Sequence, residues 1–199
     1  MFIQTEETPN PSTLKFIPGK VLLESGTQEF KSKKAAKSNS LANMLFEDEN
    51  VDGVFIGKDF ITITKSNEVN WESLKPSILS KIHDFLSSGK KVESVNDNNK
   101  KAKENYNKKD LEIVKQINDL LEERIKPAVA QDGGDISFVK FDNGVVYLEL
   151  RGACAGCPSS TITLKSGIEN MLKYYIPEIV SVEAVNQDWC KNLTLLTEI

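Results

Sequence analysis

The amino-acid sequence predicts an α+β fold, arranged as two small α+β domains joined by a flexible polar linker. The chain has 199 residues, 39% of them hydrophobic, which is enough for a core in one large domain or in two small ones. Residues 97–109 carry almost no apolar side chains. On either side of them, stretches with the two-residue period of strands are interspersed with stretches of helical period.

The polar segment reads DNNKKAKENYNKK. It has one aromatic residue and no aliphatic residue larger than alanine, so it cannot bury enough apolar surface to offset the entropy lost on ordering. We therefore predict a first domain at residues 1–96, a second domain at residues 110–186 and a tail at residues 187–199. A rival interpretation is that the end of the polar segment extends the next helix.

The first domain is predicted to contain strands bounded by turn residues and helices with apolar residues on one face. Asn70 is predicted to cap the second helix, and Pro76 falls within its opening turns. In chain order the predicted elements are strands at Phe2–Glu6 and Thr13–Ile17, a helix at Ser40–Phe46, a hairpin of Val51–Ile56 and Phe60–Thr64, and a helix from Trp71 to about Leu86.

The second domain is predicted to begin with a helix that Asp110 caps and that ends near Pro127. Asn143-Gly144 is a strong hairpin signal between two apolar runs, and Pro158 is predicted to begin another helix. The predicted strands are Ile136–Phe141, Val145–Leu150 and Ile179–Val185. The predicted apolar stripes are Leu111, Val114, Ile117, Leu121 and Ile125 on the first helix, and Ile162, Leu164, Ile168, Met171 and Leu172 on the second.

The charge distribution argues against a nucleic-acid partner. The formal net charge of −4 divides into −1 for residues 1–96, +3 for residues 97–109 and −6 for residues 110–199. A nucleic-acid binder concentrates basic charge on its folded modules, whereas here the basic excess lies in the linker alone. No run approaches the roughly 18 apolar residues of a membrane span, so a membrane is not expected as a partner either.

The cysteine pattern indicates a reducing compartment. Two of the three cysteines are spaced C-x-x-C, unlike the even, dispersed set of a secreted disulfide scaffold. The first residues show neither a secretory nor a transit-peptide pattern. The expected location is therefore the cytoplasm or, for a processed form, an organelle such as the mitochondrial matrix.

The motif with recognisable chemistry runs from Gly152 to Pro158 and contains Cys154 and Cys157. A two-residue spacing lets both sulfurs converge on one metal or cluster, and the small residues between them leave the turn free to bend. The motif lies between a predicted strand and a predicted helix. Amide groups at a helix N-terminus favour the thiolate form, which is the form that binds metal.

The number of available ligands limits what this site can hold. Tetrahedral zinc and a cubane cluster both need about four protein ligands, and one pair supplies two. Cys190 lies in the tail, and His83, the sole histidine, belongs to a predicted surface helix in the other domain. We therefore expect two chains related by a two-fold axis, each giving Cys154 and Cys157.

Three alternatives stay open at this stage: an unligated thiol pair, a zinc site and a dithiol oxidoreductase. The position of the pair near a helix start suits a redox motif. Against that reading, the pair follows a predicted hairpin and is not predicted to open a βαβ unit.

Both halves of the chain resemble the NifU-like (Nfu) family. Residues 110–185 are similar to its C-terminal domain in the helix LLEERIKPAVAQ, the turn Asp132-Gly133-Gly134-Asp135 and the signature GACAGCPSS. Residues 1–86 are similar to its N-terminal domain in TEETPNPSTLKFIPGK, SLANMLF and GVFIGKDFITITK. One departure is Ser40, where the family often has proline.

The resemblance implies an iron–sulfur cluster scaffold or carrier and not an enzyme. Members hold a [4Fe-4S] cluster between two C-terminal domains and deliver it to apo-proteins, and the ligands carry over onto Cys154 and Cys157. The implied partners are apo iron–sulfur proteins, an upstream cluster donor and, with the cluster bound, a second copy of the chain.

Other residues receive less specific expectations. The turn at residues 132–135 is expected to be structural, because its glycines permit positive φ before a strand. Arg151 either offsets cluster charge or lies at a solvated strand end. The first domain has no cysteine, so we expect it to recognise a target or donor protein or to serve folding alone.

Overall fold

The computed structural model describes residues 2–93, 106–155 and 158–185, with only the backbone described for residues 158–163. Cys157, the tail at residues 187–199 with Cys190, and most of the predicted linker lie outside these ranges. The described residues form helices with a five-stranded and a three-stranded sheet, in a chain that divides into two compact units. The predicted α+β class is therefore confirmed.

The first unit is built on an antiparallel sheet with strand order β1-β2-β5-β4-β3. Its elements are β1 Gln4–Glu7, β2 Thr13–Ile17, β3 Gln28–Phe30, a 3-10 helix at Ala35–Ser38, α1 Ser40–Leu45, β4 Val51–Ile56, β5 Ile61–Lys65 and α2 Trp71–Ser87. The predicted hairpin and both predicted helices are present. The apolar pattern does not predict β3, because Gln28 and Glu29 give no apolar alternation.

Strand register explains the core of this unit. Leu14 pairs with Ile63, and Val54 pairs with Ile63 on the other side of β5. Phe16 and Ile56 flank Ile61 in the same way. Side chains that are two residues apart share a sheet face, so these residues form two adjacent apolar rows. The helices add Leu41, Leu45, Leu74, Ile78, Ile82 and Phe85 to the same core.

The start of α1 is well defined although Ser40 stands where the family that the sequence resembles often has proline. Asn39 is the N-cap, and its side chain accepts a hydrogen bond from the Ala42 N–H at 2.9 Å. The Ser40 N–H donates to Glu93 Oε2 at 2.9 Å, and the Ser40 hydroxyl donates to Glu93 Oε1. Partial burial opposes ionisation of Glu93, but these hydrogen bonds and Lys90 lower the pKa of its carboxyl. Ser40 therefore supplies an N–H contact that proline lacks.

The described residues from 106 onward, most of which belong to the second unit, contain a three-stranded sheet of order β6-β7-β8. Their elements are α3 Lys108–Leu120, a π-helical segment Leu121–Ile125, α4 Lys126–Gln131, β6 Gly134–Asp142, β7 Val145–Gly152, α5 Pro158–Tyr175 and β8 Ser181–Val185. Asn143 and Gly144 both have positive φ, 48° and 82°, as a tight two-residue hairpin turn requires. The hairpin and the start of α5 at Pro158 agree with the prediction.

The predicted first helix of this unit needs three corrections, which concern its capped start, its end and its apolar stripe. Its N-cap is Asn107, whose side chain accepts from the Asp110 N–H at 2.9 Å, so Asp110 is not the cap. The helix begins at Lys108, as the rival interpretation of the polar segment proposed. It also continues through Pro127 to Gln131, because the π-helical segment changes the hydrogen-bond register just before the proline.

The third correction concerns the apolar stripe. Leu111 is 52% exposed, and the buried residues are Ile113, Ile117, Leu121, Ile125 and Val129. A four-residue spacing drifts by about 40° per step around an ideal α-helix. The wider π-helical turn offsets this drift, which keeps the later members on the buried face. On α5, Ile168 and Leu172 are buried as predicted, but Met171 is 37% exposed.

The last strand gives the second sheet a parallel edge. β8 pairs with β7 in parallel, with Val146 opposite Val182 and Glu149 opposite Val185. The chain from β7 through α5 to β8 is thus a βαβ unit. In the part of the chain that is described, no helix has the length and apolar character needed to cross a membrane.

Candidate functional site

Cys154 lies two residues beyond the end of β7 and four residues before the start of α5. The loop between these elements begins at Gly152, whose φ of +65° is a conformation that residues with a side chain rarely adopt. Cys154 itself is buried. The backbone geometry of a strand end therefore places this thiol.

A second loop packs against the cysteine loop. The Ala153 N–H donates to the Gly133 carbonyl at 3.2 Å, and Gly133 has a φ of +80°. A side chain at Gly152 would bring its Cβ to 2.7 Å from the Gly133 carbonyl oxygen and 3.1 Å from the Gly134 Cα. The two loops are thus in backbone contact, which only glycines at these positions permit.

Gly134 makes the closest approach to the thiol. A Cβ on Gly134 would lie 2.6 Å from Cys154 Sγ, 2.7 Å from the Arg151 carbonyl oxygen and 3.1 Å from the Cys154 Cβ. Such distances are far below van der Waals contact, so Gly134 forms a wall of the site. Of the two glycines expected to permit positive φ, Gly133 has it, whereas Gly134 permits a close approach to the thiol.

Two buried charged residues precede the cysteine on β7. Glu149 is 9% exposed and Arg151 is 5% exposed, and strand geometry places them on one face. The Ser137 hydroxyl donates to Glu149 Oε2 at 3.3 Å. Arg151 is thus buried, and the interpretation as a solvated strand end is wrong. The polar neighbours Glu149 and Ser137 were not predicted as site residues, because alternating polar residues are ordinary in a half-exposed strand.

The predicted site residues are only partly placed. Cys154 is described, whereas Cys157 and Cys190 lie outside the described residues. His83 is on the exposed surface of α2, with its Nδ1 3.4 Å from Asp84 Oδ1, as expected for a surface residue. Across residues 2–93, 106–155 and 158–185, no three His, Cys, Asp or Glu side chains are grouped so as to hold a metal ion.

The setting of the cysteine motif corrects one argument made from the sequence. The prediction that the motif does not open a βαβ unit is wrong, because β7 and β8 are parallel and the motif lies at the β7-to-α5 connection. Both cysteine positions nevertheless precede Pro158, the first residue of α5. Any helix N-terminal effect therefore acts from outside the helix, on the residue next to Pro158.

Two families match the chain in succession. Residues 3–89 match the family described as "Scaffold protein Nfu/NifU N terminal", and residues 117–183 match the family described as "NifU-like domain".

Curated relatives match along nearly the whole chain. The "NFU1 iron-sulfur cluster scaffold homolog, mitochondrial" of Homo sapiens is 49% identical over 189 residues, which cover 94% of this chain and 73% of that protein. "NifU-like protein 5, mitochondrial" of Arabidopsis thaliana is 48% identical, covering 92% of this chain and 67% of that protein. A Drosophila willistoni relative with the same name as the human one is 48% identical, and the chain spans 64% of its length.

Solved structures match over less than half of the chain. A NifU-like protein from Saccharomyces cerevisiae aligns with a TM-score of 0.43 and 32% identity, covering 47% of this chain and 85% of that one. The protein SAV1430 from Staphylococcus aureus aligns with a TM-score of 0.37 and 25% identity, covering 41% of this chain and 99% of that one.

Proposed function

Since the chain belongs to the Nfu/NifU scaffold family, we propose that it binds an iron–sulfur cluster and transfers it to apo-proteins. Family membership agrees with the resemblance found in the sequence and with the expectation of a scaffold in place of an enzyme. Relatives are named as iron–sulfur cluster scaffolds. The observation that carries the proposal is the thiol of Cys154, placed by two glycine loops where β7 leads toward α5.

The proposed cargo is a [4Fe-4S] cluster shared by two copies of the chain. Each copy supplies Cys154 and Cys157, because a cubane cluster needs about four thiolates and the described residues complete no ligand set around Cys154. A two-fold arrangement makes the two pairs equivalent. The cluster thus lies at a subunit junction and not inside one closed chain.

Sharing a cluster requires the cysteine loop to turn outward. Cys154 is 6% exposed, packed beside Gly134. Its sulfur must face the second copy before both can ligate one cluster. Gly152, at positive φ and without a side chain, is the position where the backbone can change direction at least cost.

The proposed partners are an upstream cluster donor and apo iron–sulfur proteins that present their own cysteines. Three of the relatives described above are named as mitochondrial, which favours the processed organelle form over the cytoplasm among the two expected locations. The first domain would recognise a donor or a recipient. Neither nucleic acid nor a membrane is proposed as a partner.

Anaerobic reconstitution with iron and sulfide tests the proposal. We expect about one four-iron cluster for each pair of chains, measured as iron and sulfide content together with the mass of the complex. Cys154→Ser and Cys157→Ser are expected to abolish loading, because each removes two of the four ligands from the pair. Cys190→Ser is the matched control and is expected to load normally. A full cluster on monomeric Cys154→Ser protein contradicts the shared site.

A dithiol oxidoreductase is the second candidate, since the βαβ setting of the motif suits redox chemistry. It predicts a reversible disulfide between Cys154 and Cys157 and a colourless protein. Thiol titration in defined glutathione buffers distinguishes the two functions. If the protein cycles between dithiol and disulfide but takes up no iron, the oxidoreductase replaces the carrier.

A further inference from the structure

A concave surface on the first unit lies between the loop Lys20–Ser25 and the chain from Leu86 to Val92. We call it the basic groove. Its volume is about 640 Å³, within the range of sites that bind ligands or short peptide segments. Most of its residues belong to these two stretches, so a single domain forms it.

Backbone hydrogen bonds hold one wall of the basic groove. The N–H groups of Leu22 and Leu23 both donate to the Lys58 carbonyl, at 2.7 and 3.2 Å. On the other wall, Gly89 turns the chain after α2 with a φ of +72°. Hydrogen-bonded loops lose little entropy when a ligand binds. The groove is therefore present before any partner arrives.

Apolar residues line the floor of the basic groove and part of its edge. Leu22, Leu23 and Val92 are buried beneath the surface, and Leu86 is half-buried. Val21 is 65% exposed beside them. When a partner's apolar side chain covers both an exposed aliphatic side chain and the apolar floor beside it, burial of this surface favours binding.

The rim of the groove is cationic. Lys20, Lys90 and Lys91 line it, against one acid, Glu24. Lys90 also lies close enough to Glu93 to lower the pKa of that carboxyl. Lys20 and Lys91 make no ion pair with any residue in the described ranges. The groove thus presents uncompensated positive charge, although the chain as a whole is acidic, with a net charge of −4.

We propose that the basic groove binds an extended segment of a partner protein in which acidic residues flank an apolar side chain. The apolar residue would cover Val21 and the floor, and the carboxylates would meet the lysines on the rim. Exposed charges of this kind raise the association rate and select against basic partners. The proposal goes beyond cluster binding and does not rest on it, since none of the groove residues belongs to the cysteine site.

Binding of defined peptides to the full chain tests this proposal. The probe is a fluorescent synthetic peptide in which glutamates alternate with leucine and phenylalanine, measured by anisotropy at increasing salt. Two control peptides are used: one with lysine in place of every glutamate, and one with serine in place of every apolar residue. We expect only the acidic, apolar peptide to bind, with an affinity that falls as salt rises.

Variants locate the binding surface. Lys20→Glu and Lys91→Glu are each expected to raise the dissociation constant about fivefold, and Val21→Ser is expected to weaken binding without unfolding the domain because Val21 is exposed. Lys75→Glu is the matched control, since it makes the same charge change in a different surface depression of the same domain. Amide shifts in two-dimensional NMR are expected at residues 20–25 and 86–92.

Four outcomes overturn the proposal. They are no binding of the acidic, apolar peptide, equal binding of the serine control, equal weakening by Lys75→Glu, and peptide-induced shifts confined to other residues. Two other occupants are checked in the same experiment. If inorganic phosphate displaces the peptide and gives the same shifts, the groove is an anion site only. If Lys20→Glu dissociates a dimer of the unlabelled chain, the groove is a contact between copies.

Discussion

Gly134 controls the position of the Cys154 thiol through its lack of a side chain. The gap between the Gly134 Cα and the thiol leaves no room for a methyl group, since a Cβ there would be 2.6 Å from Sγ. The same Cβ would also be 2.7 Å from the Arg151 carbonyl oxygen. The Arg151 carbonyl cannot move aside as the end of a flexible side chain can. Replacing Gly134 therefore forces the Cys154 thiol or its loop to move.

We predict that Gly134→Ala lowers both stability and cluster loading. Overpacking of this kind costs about 1–3 kcal/mol, and it distorts the loop from which the Cys154 sulfur has to turn toward the second copy. Urea denaturation of the full chain and iron content after reconstitution are the measurements. Gly167→Ala is the matched control, because Gly167 lies on α5 and a Cβ added there would meet no atom of another element within 4 Å.

The control is expected to load a normal cluster and to gain about 0.5–1 kcal/mol, as alanine does in a helix. If Gly134→Ala loads iron as the unaltered chain does, the close approach has no bearing on the site, and Gly134 serves only the turn.

At the scale of secondary-structure elements, α5 protects the edge of the second sheet. β8 is an edge strand, and edge strands expose N–H groups that can pair with another chain. Glu169 of α5 accepts a hydrogen bond from the Val182 N–H at 3.0 Å and from Lys173 at 2.6 Å. The carboxylate therefore accepts a hydrogen bond from the Val182 N–H, which could otherwise pair with a further strand.

We predict that this contact weakens on acidification. The hydrogen bond from Lys173, followed by that from Val182, lowers the pKa of Glu169 below 4.5, with burial opposing and Lys165 assisting. A carboxyl whose pKa is lower in the folded state than in the unfolded state stabilises the fold at pH values above its unfolded-state pKa. This stabilisation is lost as the pH falls through the folded-state pKa. The Val182 amide resonance should thus titrate with a midpoint below 4.5.

Glu169→Gln is expected to abolish that titration of the Val182 resonance. Glu112→Gln is the control, because Glu112 is exposed on α3 and has no hydrogen bond or ion pair within the described part of the chain. A Val182 midpoint at or above the ordinary carboxyl value means that the carboxylate does not hold the edge of β8.

At the scale of the whole molecule, the proposed function couples cluster occupancy to oligomeric state. With two thiolates from each chain, part of the free energy that holds two copies together comes from bonds to the cluster. A ligand that binds only the associated form stabilises it by mass action. Losing the cluster removes those bonds and favours separate chains.

We predict that transfer to an apo-protein converts the loaded dimer to monomers faster than free iron appears. An acceptor's cysteines can replace one thiolate pair at a time if the cluster lies, as proposed, at a junction between chains. In the test, loaded protein is mixed with a four-iron apo-enzyme, with and without a strong chelator. Enzyme activity and molecular mass are then followed together. Complete block by the chelator, or a dimer that persists after the cluster leaves, contradicts direct transfer.

The sequence by itself determined the elements and motifs that are encoded within a few neighbouring residues. β2 and β4 were predicted to the residue, and Asn70 caps α2 as expected. Apolar period, capping side chains and turn chemistry act over a few residues, so they can be read from a single segment. The cysteine motif is contiguous for the same reason, which made Cys154 and Cys157 recognisable as a candidate site.

Only the tertiary structure decided which distant segments meet. The sequence gives no sign that Gly134 lies against Cys154, because the two are separated by the whole hairpin. The polar β3 is a strand because it pairs with β4, and β8 makes a βαβ unit because it pairs in parallel with β7. Such pairings depend on the free energy of contacts between segments, which no local period records.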